Sequence, residues 1–217
     1  MHRKRLLFIS GLVMIASAAG VVIAIISLRH HTHPNPVSTN IMKNVVTKTL
    51  AKPSTTPLST SSYASTAAAN EPSYISLPTI GTAGYIQKVG IDQYGQMAAP
   101  TNVHLAGWYV NSLLPGQAGL SVIDGHVDGY AHNQGIFGRL NNLNIGDIFT
   151  ITFGNQTHKS FSVKNIRLVD AIDVPSILFA HNPTITSQLT LITCGGTYDK
   201  ISHTYDKRTI VTSSLML

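Results

Sequence analysis

From Ser73 onward the chain consists of short apolar runs, each four to nine residues long, separated by Gly, Pro and Asn. Tyr74–Ile80, Leu120–Ile123, Ile148–Phe153, Phe161–Val169, Leu189–Thr193 and Thr209–Thr212 are rich in β-branched and aromatic side chains, which favours strands. Helical periodicity is weak, and Ile136–Leu143 is the best short helical candidate. Asn144–Asp147 and Phe153–Gln156 carry hairpin-type turn residues. Many short strands within one stretch predict an all-β fold. A closed or nearly closed barrel is the economical form, because closure leaves no exposed strand edges.

The first 72 residues follow a different pattern. Met1–Arg5 is short and basic, and Leu6–Leu28 is a run of 23 residues without a charge. At ~1.5 Å rise per residue such a helix spans roughly 34 Å, enough to cross a hydrocarbon core of ~30 Å. A cleaved signal peptide is the rival, with Ala16-Ser17-Ala18 as its site. However, Val21–Ile26 continues the apolar run past the usual end of a signal-peptide core. An uncleaved transmembrane anchor is therefore expected over residues 6–28. Arg3, Lys4 and Arg5 outweigh Arg29, which keeps residues 1–5 cytoplasmic and the remainder outside. Residues 29–72 are dominated by Ser, Thr, Pro, Ala and Asn and read as an extracytoplasmic linker, with the folded domain at 73–217.

The formal net charge of +6 invites a nucleic-acid partner, but its distribution argues against one. Seven basic residues against Glu71 alone place the whole excess before Ser73. After it, eight basic residues face eight aspartates, so the folded part offers no basic surface for a phosphate backbone. The single cysteine excludes an intramolecular disulfide. In an exported chain, a lone cysteine points to a reactive thiol or an intermolecular bridge.

Three strand-end positions carry candidate chemistry. Thr190-Leu191-Ile192-Thr193-Cys194-Gly195-Gly196 is a strand that delivers its thiol to a glycine turn. Val122-Ile123-Asp124-Gly125-His126 is an apolar strand ending in a histidine, and Arg208-Thr209-Ile210-Val211 begins with an arginine. Singly, each has an ordinary structural explanation. Together they supply a nucleophile, a base and a donor for a developing oxyanion, which is the set acyl transfer needs.

The Thr-Leu-x-Thr-Cys strand, the histidine 68 residues upstream and the arginine 14 residues downstream resemble the sortase family over roughly residues 73–217. The resemblance implies a closed barrel of about eight strands with one or two short helices. It also implies a membrane-anchored cysteine transpeptidase, with hydrolysis as its side activity. In that reading Cys194 attacks the Thr–Gly carbonyl of a Leu-Pro-x-Thr-Gly-like sorting signal on a secreted protein. His126 protonates the leaving amine, and Arg208 stabilises the oxyanion. A peptidoglycan-linked or other amine then resolves the thioester. Thr193 and Gly195 are the expected substrate-binding neighbours, and no cofactor or metal is expected. Gly125-His126-Val127-Asp128, Ile136–Leu140, Gly107-Trp108-Tyr109 and Cys194–Asp199 incline the resemblance to class E/F, more to F.

Other signals weigh less. Leu77-Pro78-Thr79-Ile80-Gly81 is a poor sorting signal and reads as the first strand, with Pro78 at an edge position. His30, His31 and His33 read as a solvated segment. His132, His203 and Lys207 are reserve candidates for the catalytic roles, and Asp128 is a potential orienter of His126. Asp170 and Asp173 alone are too few for a calcium site of the kind some class A sortases carry. Two alternatives remain at this point: an L,D-transpeptidase and a non-catalytic surface module. The first would place Arg close behind the cysteine, where this chain has Gly195-Gly196.

Overall fold

Residues 53–56, 67–129 and 133–217 are described here in a computed structural model. The anchor at 6–28, most of the linker, His30, His31, His33 and His132 lie outside the described residues. Among the described residues no helix is long and apolar enough to cross a membrane.

Eight strands form a closed barrel: β1 (Pro72–Leu77), β2 (Thr82–Val89), β3 (Ala106–Tyr109), β4 (Gly119–Gly125), β5 (Ile148–Phe153), β6 (His158–Asp170), β7 (Ser187–Asp199) and β8 (Thr204–Leu215). Around the barrel their order is β1-β2-β3-β4-β7-β8-β6-β5, and β5 pairs back onto β1. Two contacts are parallel, β2 with β3 and β4 with β7, and the other six are antiparallel.

Alternation along the strands divides the apolar side chains between two cores. Ile75, Leu77, Ile123, Phe149, Ile151, Phe161, Leu189, Leu191 and Val211 fill the main one. In it Phe149 stacks on Phe161 with ring centroids 5.6 Å apart. The alternate residues Val122, Ile192 and Ile210 join Val169 and Leu178 in a second core. Leu178 comes from the only α-helix among the described residues, α1 (Val174–Leu178), which has Pro175 in its first turn. Cys194 and Arg208 lie on strands that carry both cores, and His126 directly follows a third, β4.

Several local expectations change. Ile136–Leu143 forms turns and a 3-10 helix at Leu140–Asn142, not an α-helix. Gly138 sits in it where a Cβ would come within 2.6 Å of the Val127 carbonyl oxygen, so the segment is folded tightly on its neighbour. The first strand ends at Leu77, and Pro78 opens a 3-10 turn instead of lying within the strand. Phe153–Gln156 does turn β5 into β6, with the Phe153 N–H donating to Thr157 O at 2.9 Å. Asn144–Asp147 is a loop leading into β5, not a hairpin.

Candidate active site

The 68-residue spacing between His126 and Cys194 is the register of a parallel strand pair. β4 pairs with β7 as Val122 with Thr190, Ile123 with Leu191 and Asp124 with Ile192. Two residues further along both chains lie His126 and Cys194. Gly125 is tied to β7 at this point, because the Thr193 hydroxyl donates to its carbonyl oxygen at 2.7 Å. On the other side of β7, Cys194 pairs directly with Arg208 of β8. Three segments distant in sequence thus bring their chemistry to one level of the barrel.

The strand leaves this level abruptly. Gly196 has φ +78°, and a Cβ there would overlap Asp206 Oδ1, so only glycine fits without strain. The β7–β8 register shifts between Gly195 and Tyr198, a bulge that ends regular pairing next to the thiol. Asp206 Oδ1 accepts the Thr197 N–H at 2.6 Å and holds the bulge.

His126 is half-buried, and its Nε2 lies 2.7 Å from the carbonyl oxygen of Pro100. A carbonyl only accepts, so Nε2 carries the hydrogen and Nδ1 is the nitrogen left to exchange a proton. The backbone is held just as firmly. The Phe137 N–H donates to His126 O at 3.0 Å, and Gly135 packs so closely that a Cβ would overlap that same oxygen. No hydrogen bond joins His126 to Cys194.

Cys194 is half-buried, and burial pushes its thiol above the ordinary value. Arg208 pulls in the opposite direction, while Asp128 and Asp124 push it up further. Arg208 donates through Nη1 to Tyr205 O and Lys207 O, each at 2.8 Å. These bonds fix the plane of the guanidinium and leave Nε and Nη2 without a protein partner among the described residues. Asp124 is the unusual neighbour. Its side chain is buried, Oδ1 has no hydrogen-bond partner, and burial holds its pKa well above the carboxylate range. It faces Gly107, where a Cβ would overlap Oδ1.

A cleft of about 380 Å³ opens beside the thiol. Val127, Phe137, Ile166, Leu168 and Tyr205 supply much of its wall, with Thr193, Cys194 and Gly195 along one side. His126 and Arg208 flank Cys194 through the sheet and are not part of this wall. Thr193 and Gly195 therefore both border the cleft, although the Thr193 hydroxyl is committed to Gly125.

The reserve candidates have other partners. His203 Nδ1 shares a hydrogen bond with Tyr198 Oη at 3.2 Å, Lys207 pairs with Asp170, and neither lines the cleft. Asp128 accepts a hydrogen bond from Tyr205 Oη at 2.6 Å, so its Oδ2 is engaged with β8 and not with His126. Among the described residues no group of three or more His, Cys, Asp or Glu side chains is placed to hold a metal.

The sortase-domain family model matches residues 75–216, which takes in β2 to β8 whole and β1 from Ile75 onward. The chain belongs to the sortase family. Among solved structures it is similar to a lid mutant of sortase A from Corynebacterium diphtheriae, with 26% identity and a TM-score of 0.53 over 67% of this chain and 70% of that one. Sortase C1 from Streptococcus agalactiae shares the fold at 21% identity and a TM-score of 0.51, over 68% of each chain. The sortase D5 transpeptidase of Clostridium perfringens shares it at 20% and 0.50, over 68% of this chain and 79% of that one. No curated protein matches. This sortase is thus a cysteine transpeptidase in the general sense of its family, which sets aside the L,D-transpeptidase alternative.

Sequence reasoning missed Tyr205, the Pro100 carbonyl and the close approach of Gly135. Tyr205 had one available signal, its position three residues before Arg208 on the same strand. A backbone carbonyl from a distant loop carries none.

Proposed function

We propose that this sortase cleaves a Leu-Pro-x-Thr-Gly-like sorting signal through a thioester on Cys194 and transfers the acyl group to an amine of the cell wall. The supporting observation is the common level of His126, Cys194 and Arg208, set by two strand registers. The Cys194 thiolate, its proton passed to His126 Nδ1, attacks the Thr carbonyl carbon. The oxygen becomes negative and lies within the field of Arg208, whose Nε and Nη2 are left to donate to it. His126, protonated at Nδ1, gives that proton to the leaving glycine amine as the C–N bond breaks. Neutral Nδ1 then accepts the proton that the incoming amine loses as it attacks the thioester, and Cys194 leaves as the thiolate, which restores the starting pair. If water attacks instead, the result is hydrolysis.

The further reading is an enzyme held in the membrane by residues 6–28, with the N-terminus in the cytoplasm and the barrel outside. Its partners are secreted proteins with a C-terminal sorting signal and a peptidoglycan precursor or similar amine. The Gly125–Asp128 and Cys194–Asp199 motifs support class F within the family.

The test is mass spectrometry of the products formed from a sorting-signal peptide library with and without a diamine acceptor. A ligated product and an acyl adduct on Cys194, both lost in Cys194→Ala, are expected. Absence of both from the wild-type protein would reject the proposal. A Cys194 that also resists iodoacetamide would leave a surface module.

A further inference from the structure

Tyr205 and Asp128 directly join β8 to the segment after β4, strands that the barrel connects through β7. Asp128 lies two residues after His126, where it forms an isolated bridge with Gln134, and the adjacent Gly129 N–H donates to Asn133 O at 2.7 Å. Tyr205 lies on β8, 77 residues away, and donates its phenol hydrogen to Asp128 Oδ2 at 2.6 Å. The same tyrosine holds Arg208 through its main-chain carbonyl, at 2.8 Å from Nη1. Its ring packs on Tyr198 of β7 with centroids 5.1 Å apart. One residue therefore touches the histidine loop, the arginine and the far end of the cysteine strand. Val127 and Tyr205 also both border the cleft beside Cys194.

We propose that the Tyr205–Asp128 hydrogen bond is a latch across the cleft that fixes the distance between the His126 loop and Arg208, making Tyr205 and Asp128 positioning residues for acyl transfer. The inference rests on the catalytic reading of His126, Cys194 and Arg208. Hydrogen bonds to an ionised acceptor are the stronger kind, and this one is half-buried, so it is a sound element for holding two loops in register. Neither residue needs to touch the substrate. With the latch open, His126 keeps its bond to Pro100 O and Val127 O still accepts the Gly135 N–H at 3.0 Å, but the Val127–Asp128 segment loses its tie to β8 and its position relative to Arg208 is free to drift.

The test uses Tyr205→Phe, Asp128→Asn, Asp128→Ala and the Tyr205→Phe/Asp128→Ala double variant, with melting curves as the folding control. Tyr205→Phe and Asp128→Ala should each lower kcat about tenfold with KM within about twofold, as loss of alignment does without loss of ground-state binding. Asp128→Asn retains an acceptor oxygen and should keep most of the rate. The double variant should be no worse than Asp128→Ala alone, because both changes break one bond.

A charge effect on the thiol is separated by labelling. Cys194 is faced by Arg208 of β8, by His126 and Asp128 beyond β4, and by Asp124 of β4. Removing the Asp128 charge should lower the pH midpoint of iodoacetamide labelling in both Asp128 variants alike, although only Asp128→Ala loses rate. Without any substrate, the maleimide-to-iodoacetamide labelling ratio should rise in Tyr205→Phe and Asp128→Ala and stay unchanged in Asp128→Asn. This readout tests the latch even if transpeptidation itself is not observed. Additive losses in the double variant, or Tyr205→Phe with wild-type kcat and an unchanged labelling ratio, would overturn the inference.

Discussion

At the scale of single residues the site sets opposing influences on one thiol. Burial, Asp128 and Asp124 hold the proton on Cys194, and Arg208 alone among the charged neighbours favours its release. Arg208→Ala should therefore move the pH midpoint of alkylation upward and lower kcat/KM by about a hundredfold or more, since it removes both the field and the proposed oxyanion donor. An unchanged labelling profile would mean that the guanidinium does not act on the thiol. Asp124 gives a second, independent prediction. Its carboxyl is held above the ordinary value near 3.8 by burial, so the folded state keeps a proton that the unfolded chain would release. Its contribution to stability is thus fully present below about pH 4 and declines as pH rises toward the folded-state value. Asp124→Asn should flatten that decline. It should raise the melting temperature relative to wild type at pH 7 to 8 and lose that advantage near pH 4. It should also ease thiolate formation at Cys194. A variant with the wild-type slope against pH would show that Asp124 ionises freely. Neither charge state of Asp124 was legible in the sequence, where it only interrupts an apolar strand.

At the scale of elements, what was legible depended on how strongly each strand alternates. β5 was legible to the residue, and β4, β6, β7 and β8 were recognised by their apolar centres with ends too short, because their outer turns carry polar residues such as His158, Lys207 and Asp199. β2 and β3 were missed for physical reasons. Thr82–Val89 buries only Ile86 and Val89, and Ala106–Tyr109 has only four residues, held by a parallel partner on one side. The common level of His126, Cys194 and Arg208 was foreshadowed in the sequence because register turns spatial proximity into a fixed spacing, whereas the supports of His126 came from loops whose contacts leave no periodic signal. The element-scale prediction concerns the tie between β4 and β7. Thr193→Val keeps the shape but leaves Gly125 O without its buried donor, which destabilises by about 1–3 kcal/mol. A fall in melting temperature is expected together with a lower kcat, because Gly125 precedes His126. Wild-type stability in this variant would mean that the carbonyl finds another donor.

At the scale of the whole molecule, the chain before Ser73 contributes more than its composition suggests. Ser54 forms a parallel bridge with Asn102, its N–H donates to Thr101 O at 2.8 Å, and its carbonyl accepts the Val103 N–H at 3.0 Å. Asn102 Nδ2 donates to Thr56 O at 3.0 Å. The support continues inward. Val103 O accepts the Ile136 N–H at 2.7 Å, next to the Gly135 that packs on His126. Thr55 also lies near Gly129, where a Cβ would come within 3.1 Å of its methyl carbon. A second tie runs through Glu71, which pairs with Lys88 of β2 at 3.0 Å and accepts the Ala68 N–H. Cutting the chain at two places separates tethering from support. A protein lacking residues 1–52 keeps every one of these contacts and should match the full-length chain in activity toward a soluble peptide. A protein lacking residues 1–72 loses them and should melt about 3–6 °C lower, the shift expected for the loss of one or two kcal/mol in a domain of this size. Its kcat should fall as well, because the removed segment backs the loop that carries His126. Equal melting temperatures and equal kcat for the two proteins would show that residues 53–72 add nothing to the barrel, Pro72 at the start of β1 included.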